Sequence, residues 1–150
     1  MKIQSMSRQA VLFVILAVAA AAAAADEVKL KLTGVQEVPP VATKAEGMAD
    51  FMVNPDMTVT GKVTTTGVAG TMAHIHTGKA GTNGPVSIGL IRGAEGEWLV
   101  PPGAKLDAAQ YSAYKAGDLY VNVHSAEHKG GEIRAQLPAP MAGTAHTPGY

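Results

Sequence analysis

The sequence contains no cysteine in 150 residues. That excludes a disulfide framework, a thiolate zinc site, a cysteine nucleophile and the lipid-modified cysteine of a bacterial lipoprotein. Charge is also scarce. Charged residues are 16%, with 12 Lys+Arg balancing 12 Asp+Glu, while hydrophobic residues reach 47%. The chain is therefore not a self-repelling disordered segment. It offers no electrostatic case for nucleic acid, whose binders carry a basic patch. A G-x-S-x-G nucleophile elbow, βαβ alternation, a phosphate loop and internal repeats are all missing, and the length suits one domain.

One long apolar run is present. Lys2 and Arg8 precede it, it extends from Ala10 to Ala25, and it ends on Ala23-Ala24-Ala25 before Asp26. A basic head, an apolar middle and a small-residue end are the pattern of a secretory signal peptide. Sixteen mostly alanine residues fall short of the ~20 that a membrane span needs. Residues 1–25 are thus expected to be a signal peptide, giving a periplasmic or extracellular protein with no membrane anchor after cleavage. Losing Lys2 and Arg8 from the 12 basic residues leaves ten against 12 acids.

The remainder reads as short strands punctuated by Gly and Pro. Val28, Leu30 and Leu32 alternate with polar residues, as do Ala49, Phe51 and Val53, then Val59 and Val63 beyond the Asn54-Pro55-Asp56 turn. Met72–His76, Val86–Leu90, Trp98–Val100, Leu119–His124 and Ile133–Leu137 continue the pattern, with a Gly-rich loop over Thr77–Pro85. One short helix is predicted after Asp107, which forms a capping-box pattern with Gln110 and stops at Gly117. Seven or eight such strands predict an all-β fold, an antiparallel β-sandwich or barrel over residues 26–137, with a disordered tail at 138–150.

Chemistry concentrates in histidine. Residues two apart on a strand share a face, so His74 and His76 point together while Ala73 and Ile75 face the core. His124 lies opposite Leu119, Val121 and Val123 on its own strand, and His128 follows four residues later. These imidazoles are expected to gather on the outer face, under a loop, as a site for one metal ion. The competing reading is solvated or capping histidines at a sheet edge. An all-imidazole site suits Cu(II) or Zn(II), and the affinity order favours copper over zinc. His128 lies in a turn, where it is either a fourth ligand or a solvated histidine. Glu127 or Glu132 could orient an imidazole from behind. Arg134, on the polar face of the last strand, is either a cross-strand ion-pair partner for Glu132 or another acid, or a fixed cation that attracts a small anion.

Four segments carry a resemblance. Leu32-Thr33-Gly34-Val35-Gln36-Glu37-Val38-Pro39-Pro40-Val41, Ala73-His74-Ile75-His76-Thr77-Gly78, Leu119-Tyr120-Val121-Asn122-Val123-His124-Ser125 and Gly131-Glu132-Ile133-Arg134-Ala135-Gln136-Leu137 resemble the CHRD domain, the module named after chordin, from about Val28 to Leu137. A more distant likeness is to Cu,Zn superoxide dismutase, in which a His-x-His strand and a later Val-His strand supply copper ligands and an arginine steers superoxide. That likeness implies a Greek-key fold and a mononuclear copper site at His74, His76 and His124, with His128 or water as fourth ligand and Arg134 in the catalytic steering role. The Thr77–Pro85 loop has no histidine or acid, so it lacks that family's zinc site. The functions implied are a copper-only superoxide dismutase, a non-catalytic copper carrier or buffer, or an extracellular protein-interaction module.

Overall fold

The computed structural model describes residues 24–141. The signal-peptide expectation falls almost wholly outside these residues, as do His146 and most of the tail.

The chain opens as a meander of β1 (Asp26–Thr33), β2 (Glu46–Val53) and β3 (Val59–Thr66), paired antiparallel with Val28 opposite Phe51 and Ala49 opposite Val63. Burial in β2 alternates strictly, with Ala49, Phe51 and Val53 inward. The β2–β3 turn closes with Asn54 and Thr58, and Met57 takes its left-handed position at φ 72°. β4 (Gly70–Thr77), β5 (Val86–Gly89), β6 (Ile91–Arg92) and β7 (Glu97–Leu99) follow. Then come α1 (Ala108–Ala116), β8 (Leu119–Ser125) and β9 (Ile133–Leu137).

All strand pairs are antiparallel, in the order β5-β4-β8-β9-β1-β2-β3-β7-β6. The two terminal strands of that order, β5 and β6, are separated in the chain by Leu90 alone. One kinked ribbon therefore pairs with β4 on one side and β7 on the other. Leu90 donates its backbone N–H to Ala73 at 2.9 Å, and Arg92 reaches the Gly70 carbonyl at 2.7 Å. This nearly closes the sheet into a barrel and covers its edges. After the β4, β5/β6 and β7 hairpins the chain returns so that β8 lies beside β4, a Greek-key crossing.

The interior is aliphatic, built from Leu32, Val63, Ile75, Val121, Val123, Ile133 and Leu137, with Phe51 and Trp98 as the strand aromatics. The helix forms as predicted. Asp107 and Gln110 complete a reciprocal capping box, Gly117 ends the helix in the left-handed region at φ 79°, and Tyr114 is turned into the core.

Two details depart from simple alternation. Val86 was expected to share a face with Ile88 and Leu90, but it is 51% exposed while those two are buried. The cause is a register shift between Ile75 and His76 that skips Ser87. Second, every residue of β8 is buried, polar ones included. Its inner face packs on the core, and its outer face lies under the Gly78–Gly84 segment and the turn that leads to β9.

Candidate metal centre

That covered outer face holds the histidines. β4 presents His74 and His76, and its neighbour β8 presents His124, with His74 opposite Asn122 and His76 opposite Tyr120. Ala73 and Ile75 are 1% exposed and face the core, as the alternation requires. Strand pairing brings the three rings together across 50 residues of chain. His74 Nδ1 lies 3.0 Å from His124 Nε2, and the three potential ligand nitrogens all lie within 4.8 Å of one another. The His74 ring meets His76 edge-on at 5.4 Å and His124 at 4.9 Å between centroids.

The surrounding groups fix which nitrogens are free. His76 Nδ1 is 2.9 Å from the Gly84 carbonyl, and His124 Nδ1 is 2.8 Å from the Lys129 carbonyl. A carbonyl only accepts, so both Nδ1 atoms carry a proton, and a neutral ring then presents its lone pair at Nε2, where His124 faces His74 Nδ1. His76 Nε2 is buried with no hydrogen-bond partner. A buried, unpaired acceptor is costly, and a cation coordinated there would satisfy it. Burial, reinforced by the two neighbouring imidazoles, holds the His74 pKa below the ordinary histidine value, and burial likewise lowers that of His76. Both rings are thereby kept in the neutral form that binds metals. The three residues fit one metal ion as an all-imidazole donor set, leaving coordination positions open for water or a small anion.

His128 does not join the group, which comprises His74, His76 and His124. It is half-buried in the β8–β9 turn, where its backbone N–H is held by Ser125 Oγ at 3.1 Å. The turn serves His124 through the Lys129 carbonyl rather than through the His128 ring. The carboxylates expected to orient an imidazole are engaged elsewhere. Glu132 accepts from Thr43 Oγ1 at 2.7 Å and Glu127 is exposed, so two backbone carbonyls take that part.

Arg134 matches neither expectation in simple form. It makes no ion pair with Glu132, and it is only 1% exposed. Its guanidinium donates to the Thr82 carbonyl at 2.8 Å, Asn83 Oδ1 at 3.2 Å and the Lys79 carbonyl at 3.3 Å, tying down the loop that supplies Gly84 to His76. Its Cζ also lies 3.4 Å from the centroid of Tyr120. Tyr120 in turn stacks parallel on His76, 4.7 Å between centroids and 1° between planes, and its hydroxyl accepts from Gly84 N–H at 3.1 Å. Since β8 lies between β4 and β9, the Tyr120 ring is clasped between the imidazole and the guanidinium. Sequence reasoning missed Tyr120. The signal was available, because it shares the outer face of β8 with His124.

A second polar group lies nearby. Glu37 is 3% exposed, its Oε1 has no partner, and burial raises its pKa above the ordinary carboxylate value. Gly131, at φ 128°, makes room for it: a side chain there would run into Glu37 Oε1 and Asn122 Nδ2.

A nearly closed antiparallel barrel with three convergent imidazoles on its outer face defines a β-barrel module with a potential metal site. The chain belongs to the CHRD domain family, whose model matches residues 28–137. No curated protein and no solved structure matches the chain. Among the described residues, no helix is long and apolar enough to cross a membrane.

Proposed function

We propose that this CHRD domain is a secreted copper-binding module of the periplasm or extracellular space, holding one copper ion through His74, His76 and His124. The observation that carries the reading is the convergence of three imidazoles, two of them oriented through Nδ1 by backbone carbonyls, around the unpartnered His76 Nε2. Copper is favoured over zinc because the donor set is all nitrogen and copper binds such sites more tightly. Bound copper supplies a one-electron Cu(II)/Cu(I) couple. The protein's part is to fix the imidazoles, to hold the loop over them through Arg134 and Tyr120, and to leave an open position.

Superoxide dismutation is the second reading, favoured by that open position and by the positive charge of Arg134 one stacked ring away from His76. In this reading Arg134 supplies the attractive potential for the anion while it holds the loop. Metal analysis and a superoxide-consumption assay on the purified protein separate the possibilities. One equivalent of copper with turnover establishes the enzyme, and copper without turnover establishes a carrier or buffer. Copper that binds only the folded state should raise the melting temperature, by about 2.7 kcal/mol of stability at a free concentration 100 times Kd. The His74→Ala/His76→Ala variant should lose that rise. An unchanged rise in the variant would overturn the site, and no rise in either chain would leave an interaction module.

A further inference from the structure

The triad is not equally covered on all sides. His76 and His124 are buried at 7% and 6% exposure, beneath the Gly84 and Lys129 carbonyls, whereas His74 is only half-buried. The site therefore opens toward His74. Met72 stands at this opening. It precedes His74 by two residues on β4 and is directly opposite His124 on β8, so both of its nearest same-face neighbours are members of the triad. The regular register of Ala73 with Val123 and His74 with Asn122 runs on to this pair, and only beyond it does the ladder break. Between Gly70 and Met72 the pairing with β8 shifts by one residue, and Thr71 Oγ1 bonds the His124 carbonyl at 3.3 Å at this bulge. Gly70 faces Trp98 and Val123 in the core, and the extra residue leaves Thr71 outside beside Met72. Met72 is 49% exposed and is not part of the core cluster.

An exposed methionine is unremarkable in itself, since Met48 is 54% exposed on β2. The difference lies in the neighbours. Met48 is flanked by Lys31 and Thr64, and Met72 by two imidazoles. Directly opposed residues on paired strands have Cβ atoms about 4.5–5.5 Å apart, within reach of a flexible thioether. Thioether sulfur is a soft donor suited to Cu(I), and, being uncharged and weakly basic, it adds little to Zn(II) or Cu(II).

We propose that Met72 is a thioether ligand for Cu(I), closing the open side of the imidazole triad when the bound ion is in its reduced form. The proposal rests on the copper reading above and adds a preference for oxidation state. Three imidazoles hold either ion, and the sulfur adds affinity for Cu(I) alone.

The test is anaerobic competition of the purified protein against a chromophoric Cu(I) chelator, alongside Zn(II) and Cu(II) titrations, for the unsubstituted chain, Met72→Leu and His74→Ala. Leucine conserves volume at an exposed position, so folding is retained. Met72→Leu should weaken Cu(I) at least about tenfold, the lower end of what losing even an outer-shell partner costs. Zn(II) and Cu(II) affinities should stay unchanged. X-ray absorption of the Cu(I)-loaded protein should show a sulfur scatterer that disappears in the variant. Equal Cu(I) affinities with a nitrogen-only spectrum, while His74→Ala still loses copper, would overturn the role of Met72 and leave the triad. Absence of copper binding in the unsubstituted chain would overturn both.

Discussion

The outer faces of β2–β3 and of β8–β9 belong to the same sheet and cover the same core, yet they are opposite in character. On β2–β3 the outward residues Met48, Asp50, Thr60 and Thr64 are exposed to water, with ion pairs such as Lys31–Glu46 and Lys62–Glu97 at the surface. On β8–β9 the outward residues Tyr120, Asn122, His124 and Arg134 are buried. Alternation separates core-facing from outward-facing positions in both regions. It does not say whether outward means water. Where a loop returns over the strand, polar side chains must find partners within the protein, and the His76–Tyr120–Arg134 stack is the result.

The sharpest test of the contrast replaces one outward cation on each face. Arg134→Ala should cost about 2–4 kcal/mol, because it removes a fully buried side chain that anchors the Thr82 carbonyl and covers the Tyr120 ring. Lys62→Ala, removing an exposed partner of Glu97, should leave the denaturation midpoint unchanged. Similar urea midpoints for the two variants would erase the distinction. A smaller effect is expected of Tyr120→Phe, which keeps the stack and removes the hydroxyl that receives Gly84 N–H: about 1 kcal/mol, with faster amide exchange at Gly84.

The smallest effect is a pH dependence. His74 and His76 have native pKa values below the ordinary 6.5. Below pH 6.5 the unfolded chain binds more protons than the native one. Metal-free protein therefore keeps this contribution fully above pH 6.5 and loses it as the pH falls through the depressed native values. Glu37, raised by burial, acts in the opposite sense: its contribution is present below the ordinary 4.5 and is lost as the pH rises through the native value. Urea midpoints in chelator should decline below pH 6.5, and the His74→Ala/His76→Ala variant should decline less. Parallel curves would show that the imidazoles are hydrated like those of an open face.

The sequence made local features readable. The capping box at Asp107 and Gln110, the β2–β3 hairpin and the shared face of His74 and His76 each depend on residues within a few positions of one another. Barrel closure was not readable, because it turns on a kink at Leu90 that joins two strands pairing with opposite ends of the sheet. Nor was the orientation of the imidazoles. It is set by the carbonyls of Gly84 and Lys129, and a backbone oxygen leaves no signature in residue type. Arg134 was read through its charge toward an acid, whereas its nearest partners are main-chain oxygens and an aromatic ring.

For the proposed metal site, the separation of His74 from His124 by 50 residues would set the timing of capture. An unfolded chain offers only the His74-Ile75-His76 pair as a local chelate, with nothing beside it to complete a site. The third donor arrives when β8 docks against β4, one of the longer-range pairings in the barrel. Loading would therefore be a late event, reserved for chains that have already finished folding.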